Sequence, residues 1–224
     1  MTPRSLRSKE LAFADRVEGG RLLAAKLTDH RGASNVVVVG LPRGGVPTAF
    51  EVADTLGVPM DVILVRKIGL PFQPELAMGA IGEDGITVVD EEIVRAAQVT
   101  PDEFAAVKAM EQAEIRRRSE YVREGRDRIP LAGQTVIIVD DGVATGSTAR
   151  AACLVARAEG AARVILAVPV APVDWTMRLA GVADELIAVA TPEPFYAVGQ
   201  FYRDFTPTTD DEVVELLDRA AMRF

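Results

Sequence analysis

The hydrophobic residues of this chain fall into short continuous runs that alternate with segments of helical spacing. The continuous runs, rich in β-branched residues, predict five buried strands at 35–40, 60–65, 135–140, 162–170 and 184–190. Helical spacing predicts helices at about 8–27, 44–57, 101–125, 147–159, 172–180 and 208–222. Strands that alternate with helices are typical of parallel sheets. The pattern therefore predicts an α/β, doubly wound domain with a mainly parallel five-stranded sheet.

The alternation breaks down in the middle of the chain. Residues 66–79 are rich in Gly and Pro and predict a loop, and residues 80–90 predict a hairpin that turns at 83–85. A charged helix follows. We therefore expect one domain over residues 1–224, with an inserted hairpin and helical lobe at about 80–130.

Composition narrows the classes of function. The formal net charge of −8 argues against a nucleic-acid binder or an anionic-membrane binder. The chain has one cysteine and one histidine, so it can form neither an internal disulfide nor a multi-His or Cys-based metal site. We expect Cys153 and His30 to be structural. The N-terminal residues lack the apolar core of a secretory signal, and the longest apolar run is shorter than the roughly 20 residues of a membrane span. A cytoplasmic protein is expected.

The stretch VIIVDDGVATGST, residues 136–148, carries the strongest chemical signal. Asp140 and Asp141 follow a buried strand, and ligands of open α/β sheets bind at the carboxyl ends of the strands. Two carboxylates there can accept hydrogen bonds from vicinal hydroxyls, or they can hold Mg²⁺. The hydroxyl-rich turn behind them opens a helix whose N-terminus attracts phosphate. A ligand with a vicinal diol next to a phosphate, at the distance set by a ribose, is ribose 5-phosphate, so this stretch predicts a site for that group. The alternative interpretation is that the stretch is an ordinary strand, acidic turn and helix cap with no role in ligand binding.

This stretch resembles the phosphoribosyl pyrophosphate (PRPP) motif of type I phosphoribosyltransferases. The resemblance implies that Asp140 and Asp141 contact the ribose diol and that Asp141 assists catalysis. The remaining PRPP-binding residues that it implies here are Gly142, Val143, Ala144, Thr145, Gly146, Ser147 and Thr148. Both carboxylates are also the implied Mg²⁺ ligands.

Two other segments resemble loops of the same family. GLPRGG (40–45) resembles the pyrophosphate loop, and VRKIGLP (65–71) resembles a loop of adenine phosphoribosyltransferases, although it lacks that loop's second lysine. The resemblance implies that these loops bind the pyrophosphate of PRPP, through the residues Arg43, Gly44, Gly45, Arg66 and Lys67. The three basic residues would also be catalytic, because they neutralise the leaving group. Taken singly, each could instead be a solvated surface charge.

The resemblance extends over nearly the whole chain. PELAMGA (74–80) and FYAVGQFYRDF (195–205) also occur in bacterial phosphoribosyltransferase-like proteins of unassigned substrate. The resemblance implies a base pocket at Phe195 and Tyr196, although aromatic residues at such positions more often belong to a core. A further implication is a cis peptide bond between Pro42 and Arg43.

The resemblance implies transfer of ribose 5-phosphate from PRPP to a small nitrogenous base or amine, with release of pyrophosphate. It implies Mg²⁺ as cofactor and a role in nucleotide and nucleoside metabolism, and relatives are commonly homodimers. Two alternatives stay open. One is a non-catalytic regulator that senses PRPP or a nucleotide, and the other is a plain sugar-phosphate binding or hydrolysing domain.

Overall fold

The computed structural model describes residues 12–83 and 85–223. The strands are β1 (Val36–Gly40), β2 (Met60–Val62), β3 (Val65–Leu70), β4 (Gln73–Gly82), β5 (Thr87–Val89), β6 (Thr135–Val139), β7 (Arg163–Val170) and β8 (Glu185–Ala190). The helices are α1 (Arg16–Ala24), α2 (Gly45–Leu56), α3 (Glu91–Ala96), α4 (Pro101–Arg123), α5 (Ser147–Ala158), α6 (Trp175–Arg178) and α7 (Asp210–Ala221). Two 3₁₀ turns lie at Thr28–His30 and Val198–Phe201.

The main sheet has the order β2-β1-β6-β7-β8, and every pairing in it is parallel. This confirms the predicted five-stranded, doubly wound architecture. The strand predicted at 60–65 is shorter, because the main sheet keeps only Met60–Val62 and Val65 begins a second sheet. The last strand, β8, lies at the sheet edge and is only partly buried along its whole length, whereas the sequence predicts a buried strand.

Helices cover both faces of the main sheet. In β1, Val36 and Val38 pack in one core with residues of α1, α2 and α7, while Val37 and Val39 pack in a second core with α5 and Trp175. This alternation is the two-residue period of a strand, and burial on both faces explains why the strand reads as a continuous apolar run.

The prediction of a loop at 66–79 is wrong, because β3 and β4 occupy that segment. With β5 they form a three-stranded antiparallel sheet, between β2 and β6 in the chain. Gly69 packs directly against the backbone of Pro74, and the strand register shifts on either side of Gly69. The glycine and proline residues that signal a loop therefore mark an irregular strand pair. The β4–β5 hairpin is confirmed, although residue 84 of its turn lies outside the described residues.

The helices agree with the sequence unevenly. Helix α4 has the predicted extent, and a capping box of Thr100 and Glu103 with Pro101 in the first turn starts it. The N-terminal helix is shorter than predicted: residues 8–11 lie outside the described part, and Phe13 pairs with Tyr202 in an isolated bridge. Helix α6 has four residues instead of nine, and α3 is not predicted. The assignment of residues 1–224 to one domain, with a lobe at about 80–130, stays a prediction.

A buried ionic group joins α4 to β2, an edge strand of the main sheet, and to the hairpin. Arg123 donates through Nη1 to Asp61 Oδ1 at 3.1 Å and through Nε to Glu83 Oε1 at 2.6 Å. All three side chains are at most 10% exposed. Removal of Arg123 would leave Asp61 without this cation in a poorly solvated place, while Glu83 would keep Arg128, whose Nε lies 3.4 Å from Glu83 Oε2.

We therefore predict that Arg123→Ala destabilises the fold by about 3–5 kcal/mol, because breaking a buried ion pair strands its partners. Urea denaturation followed by circular dichroism measures the effect. Arg95→Ala, which removes an exposed arginine from α3, is the control and should change the unfolding free energy by about 0.5 kcal/mol or less. Equal effects of the two substitutions would contradict the role of the buried group.

Candidate active site

The carboxyl ends of β1 and β6 bring two predicted loops together. The strands pair in parallel up to Gly40 and Val139, and the N–H of Leu41 then donates to the carbonyl of Val139 at 2.9 Å. The segment 41–45 therefore runs beside the acidic turn 140–148. Because adjacent parallel strands end at the same edge, these loops meet as the sequence predicts.

Two glycines allow this close approach. A Cβ on Gly44 would overlap the carboxylate of Asp141. A Cβ on Gly45 would lie 2.7 Å from the carbonyl oxygen of Val139 and 2.8 Å from Cα of Asp140. Only a residue without a side chain fits either position, so the glycines serve the packing of one loop on the other. The peptide bond between Pro42 and Arg43 is cis, which confirms that prediction.

The two acids differ in their surroundings. Asp140 turns its Oδ1 back to accept from the N–H of Asp141 at 2.9 Å. Asp141 is buried, and its Oδ2 accepts from Arg16 Nε at 2.9 Å. The hydroxyl of Tyr202 donates to the carbonyl of Asp141 at 2.5 Å, which holds the backbone of the turn. Gly142 packs under Val198, where a Cβ would clash.

Arg16 is a site residue that sequence reasoning missed. Besides Asp141, its guanidinium donates to the carbonyl of Thr206 at 2.8 Å and stacks over the ring of Phe205, 4.0 Å from its centroid. The side chain is 11% exposed. It lies 125 positions from Asp141, in a helical segment whose pattern marks it only as a polar position.

The environment of the two acids shifts their pKa values upward. Loss of water raises the pKa of Asp140 well above its usual value, and the negative charge of Asp141 raises it further. Loss of water also raises the pKa of Asp141, although the ion pair with Arg16 opposes that rise. The site thus binds protons more readily than two exposed aspartates would.

Helix α5 begins at the acidic turn with a glycine cap. Gly146 has a φ of +84° and offers no side chain to the first N–H groups of the helix. Helix α2 similarly begins at Gly44, without a side-chain cap. By contrast, α1, α3, α4 and α7 each begin with an Asp or Thr side chain that accepts from the backbone. The start of α5 therefore keeps N–H donors for a ligand, whereas at α2 Gly45 and Val46 already donate to the carbonyls of Leu41 and Arg43, and Pro47 has no N–H.

The hydroxyl residues of this turn are accessible. Thr145 and Thr148 are exposed, and Thr145 Oγ1 lies 3.2 Å from Ser147 Oγ. The carbonyl of Ala144 accepts from Arg178 Nη1 at 3.3 Å. Val143 is instead buried, and its N–H donates to the carbonyl of Val170. Val143 thus anchors the turn while the hydroxyls face outward.

The three predicted basic residues each lie beside an acid. Arg43 Nη1 is 3.9 Å from Asp210, Arg66 Nε is 2.6 Å from Glu111, and Lys67 Nζ is 2.8 Å from Glu75. Arg66 lines a small cavity together with Pro42 and Thr148, which connects it to both loops. Lys67 is the next residue along β3, so its side chain lies on the opposite face of the strand, where it pairs with Glu75 of β4. The structure therefore does not bring Lys67 to the acidic turn.

An aromatic cluster covers the end of β7 and partly explains the predicted base pocket. It consists of Phe13, Phe195, Phe201, Tyr202 and Phe205. Phe195 lies 4.9 Å from Phe201 between ring centroids, so it packs within the cluster. Tyr196 points away and is 83% exposed. Their role toward a base stays a prediction.

The residues present fit Mg²⁺ only in part. Among residues 12–83 and 85–223, no three His, Cys, Asp or Glu side chains group as a metal site. Asp140 and Asp141 supply two carboxylates, and Mg²⁺ often takes one or two carboxylates and completes its shell with water and substrate phosphates. Arg16 beside Asp141 disfavours a cation there, so Asp140 is the better donor.

Other chemical groups stand apart from this site. Cys153 is buried in α5, where loss of water raises the pKa of its thiol to about 12, so it is unreactive. His30 lies in a 3₁₀ turn. Within the described part of the chain, no helix combines the length and apolar character that crossing a membrane requires.

Fold and site together define a class: a parallel α/β domain whose strand ends carry an acidic turn and two glycine-capped helices. The structure is similar to the crystal structure of TT1426 from Thermus thermophilus, with a TM-score of 0.86 and 42% sequence identity. That match covers 92% of this chain and 98% of the other.

Sequence comparison extends the likeness. Two Mycobacterium tuberculosis proteins, each named "Putative phosphoribosyl transferase", are 57% identical to this chain over 212 residues. The match covers 95% of this chain but 48% of each relative, so the chain spans about half their length. Residues 12–193 match the family model described as the phosphoribosyl transferase domain. The chain belongs to the phosphoribosyl transferase family, which confirms the resemblance.

The raised pKa of Asp140 predicts a pH dependence of stability. Its folded-state pKa exceeds the usual 3.8, so folding favours the protonated form. Stability should fall as pH rises from about 3.8 through the raised value. Asp140→Asn keeps the Oδ1 acceptor and removes the charge, so it should raise the urea midpoint at pH 7 and flatten its decline above about pH 4. Glu120→Gln, at an exposed position, should do neither. A midpoint at pH 7 that is unchanged or lower in Asp140→Asn would contradict the assignment.

The contact of Gly44 with Asp141 predicts a specific coupling. Gly44→Ala should cost about 1–3 kcal/mol of unfolding free energy, because the methyl group overpacks against the carboxylate. In Asp141→Ala the same methyl has room, so its cost should shrink. A double-mutant cycle by urea denaturation measures this coupling. Additive effects would show that the two groups do not meet.

Proposed function

We propose that the chain transfers the ribose 5-phosphate of PRPP to a nitrogenous base or amine and releases pyrophosphate, in a Mg²⁺-dependent reaction. The proposal rests on one observation. The acidic turn lies against Gly44 and Gly45 of the 41–45 segment, and Thr148 in the first turn of α5 lines one cavity with Pro42, so diol, phosphate and pyrophosphate groups can be bound at one sheet edge.

The sugar would be held by the turn after β6. The N-terminal N–H groups of α5 and the hydroxyls of Thr145, Ser147 and Thr148 suit the 5-phosphate. Asp140 and Asp141 suit the ribose hydroxyls, because carboxylates accept from both hydroxyls of a diol. Fixing the sugar at both ends orients C1′ toward the nucleophile.

The leaving pyrophosphate would be neutralised by basic residues and metal. Arg43 and Arg66 stand at the same edge, and each would exchange its carboxylate partner for phosphate oxygens. Arg43 is the more readily available, since its ion pair spans 3.9 Å. Lys67 would have to leave Glu75 on the exposed start of β4. Bound Mg²⁺ would supply positive charge for the departing group. Asp141, which is paired with Arg16, would assist the reaction through its negative charge.

The base would approach from the side of the aromatic cluster. Tyr196 is exposed and available for stacking, whereas Phe195 already packs on Phe201. The family supports a cytoplasmic role in nucleotide and nucleoside metabolism, with a homodimer as the expected assembly.

A second candidate function is a non-catalytic sensor of PRPP or a nucleotide. The pairing of every predicted cation with an acid favours it, because such a site releases those pairs when an anionic ligand arrives. Enzyme and sensor differ in turnover. An enzyme must stabilise the departing pyrophosphate more strongly than bound PRPP.

We predict that the chain binds PRPP with Mg²⁺ and that Asp140→Asn with Asp141→Asn abolishes the binding, because the diol and the metal lose their acceptors. Titration calorimetry measures it. Glu91→Gln with Glu92→Gln neutralises another adjacent pair of acids, in α3 and away from the candidate site, and should bind PRPP like the parent. Equal binding by both double variants would refute the site.

Turnover is then measured as PRPP-dependent release of pyrophosphate with a panel of purine, pyrimidine and amine acceptors. Release with one acceptor, reduced about ten- to a hundredfold in Arg66→Ala, is the expected result, since a charge-assisted contact to a phosphate contributes about 1.5–3 kcal/mol. Tight PRPP binding without release for any acceptor would favour the sensor.

A further inference from the structure

A second concentration of arginines lies beside the candidate site, on a helix that the family motifs do not include. A cavity of ≈ 440 Å³ is lined by Pro42, Arg43, Arg117, Arg118, Tyr121 and Asp210, among others. We call it the arginine cavity. Its volume is in the range of small-molecule sites, and it places three guanidinium groups on one opening of an acidic protein.

The arginines of this cavity keep hydrogen-bond donors for a ligand. Glu114 binds Arg117 through Nε and Nη2, but it binds Arg118 through Nε only. Across residues 12–83 and 85–223, neither terminal nitrogen of Arg118 donates to a protein acceptor, and Arg43 makes only the 3.9 Å ion pair with Asp210. Guanidinium groups in this state match the oxygens of a phosphate.

The charges on the walls favour an anion. The lining residues carry three arginines against one acid, Asp210. Glu114 lies behind two of the arginines and stays ionised, because those guanidinium groups lower its pKa to about 2. Outside the lining, the nearby acids include Glu114, Asp211, which accepts from Tyr121, and Glu124, so the excess of positive charge is confined to the cavity wall. Glu114 and Asp211 are already engaged by protein donors, so the terminal nitrogens of Arg118 stay open to the cavity, while Arg43 has Asp210 only at 3.9 Å.

The arginine cavity adjoins the candidate PRPP site. Pro42 and Arg118 line both this cavity and the small cavity that holds Arg66 and Thr148. Arg43 belongs to the loop that packs on Asp141 through Gly44. An anion bound here would thus be contacted from the loop after β1 and from α4. Because Arg43 lies on that loop and Arg118 lies on α4, a ligand with oxygens on two linked phosphates can contact both elements at once.

We propose that the arginine cavity binds a di- or polyphosphate group through Arg43, Arg117 and Arg118. The group has two sources. It is either the pyrophosphate moiety of the substrate, in which case α4 extends the leaving-group site and the inference rests on the proposed function, or a free polyphosphate ligand. The two share one recognition chemistry, and competition tells them apart.

The test is calorimetric titration of inorganic pyrophosphate in EDTA, so that no metal contributes through Asp140 or Asp141. Arg118→Ala should weaken binding about tenfold, since it removes charge-assisted bonds to phosphate. Arg116→Ala is the matched control: it removes an equally charged neighbour on the same helix that lines a different cavity, with Glu83 and Arg123. Both positions are exposed, so neither substitution should unfold the protein.

Weaker binding in Arg118→Ala but not in Arg116→Ala supports the proposal, and equal affinities in both variants, or no binding by the parent, overturn it. Titration of pyrophosphate into PRPP-saturated protein then assigns the source: lost binding indicates the substrate moiety, and retained binding indicates a free polyphosphate. Asp140→Asn with Asp141→Asn should retain metal-free pyrophosphate binding, so a failure of the proposed transferase function would be seen separately.

Discussion

One ion pair, between Arg16 Nε and Asp141 Oδ2 at 2.9 Å, joins four separate parts of the chain at the candidate site. It links α1 to the turn after β6, and the same guanidinium reaches the carbonyl of Thr206 and the ring of Phe205. The carboxylate in turn rests on Gly44. Buried ion pairs contribute little net stability, but loss of one partner is costly, so this contact constrains where the loops can lie.

That constraint also sets the electrostatics of the site. Two adjacent carboxylates with little water around them would repel one another. Arg16 offsets the charge of Asp141, and the raised pKa of Asp140 favours its neutral, protonated form. The basic residues follow the same rule, since Arg43, Arg66 and Lys67 each lie near an acid. An anionic ligand that binds these three basic residues must therefore replace existing partners. The need to replace these partners lowers the affinity for a ligand but raises the discrimination between ligands. Only a ligand with matching groups satisfies both residues of an ion pair that it separates.

Helix α4, in the segment between β2 and β6, lies beside the candidate site. Its inner side carries Arg123 into the buried group with Asp61 and Glu83, which attaches the helix to the main sheet. The residues before it, Arg117 and Arg118, consequently lie beside the loop after β1. A stable attachment near the end of α4 thereby positions charged groups one to two turns earlier, where the arginine cavity opens.

The agreement between sequence and structure depends on how local each signal is. Strands such as Val36–Gly40 were predictable because burial on both faces leaves a continuous apolar run. The acidic turn was predictable because strand, acids and helix start are consecutive. The prediction of a loop at 66–79 was wrong, since Gly69 and Pro74 belong to an irregular strand pair. Their contact across the two strands explains the irregularity, and the sequence does not show it. The extent of the first helix and of α6 was overestimated, because tertiary contacts end these helices earlier than their apolar spacing suggests.

Runs of consecutive residues were enough to specify the doubly wound sheet, the family and the turn with Asp140 and Asp141. The pairing of Arg16 with Asp141, 125 positions away, emerged only in the fold, where α1 packs against α2 and β7. Packing likewise placed Arg118 in one cavity with Arg43 and directed Lys67 toward Glu75 instead of the acidic turn. The physical reason is that charges act through space: a side chain's partner depends on which elements pack together, and no local pattern records that packing.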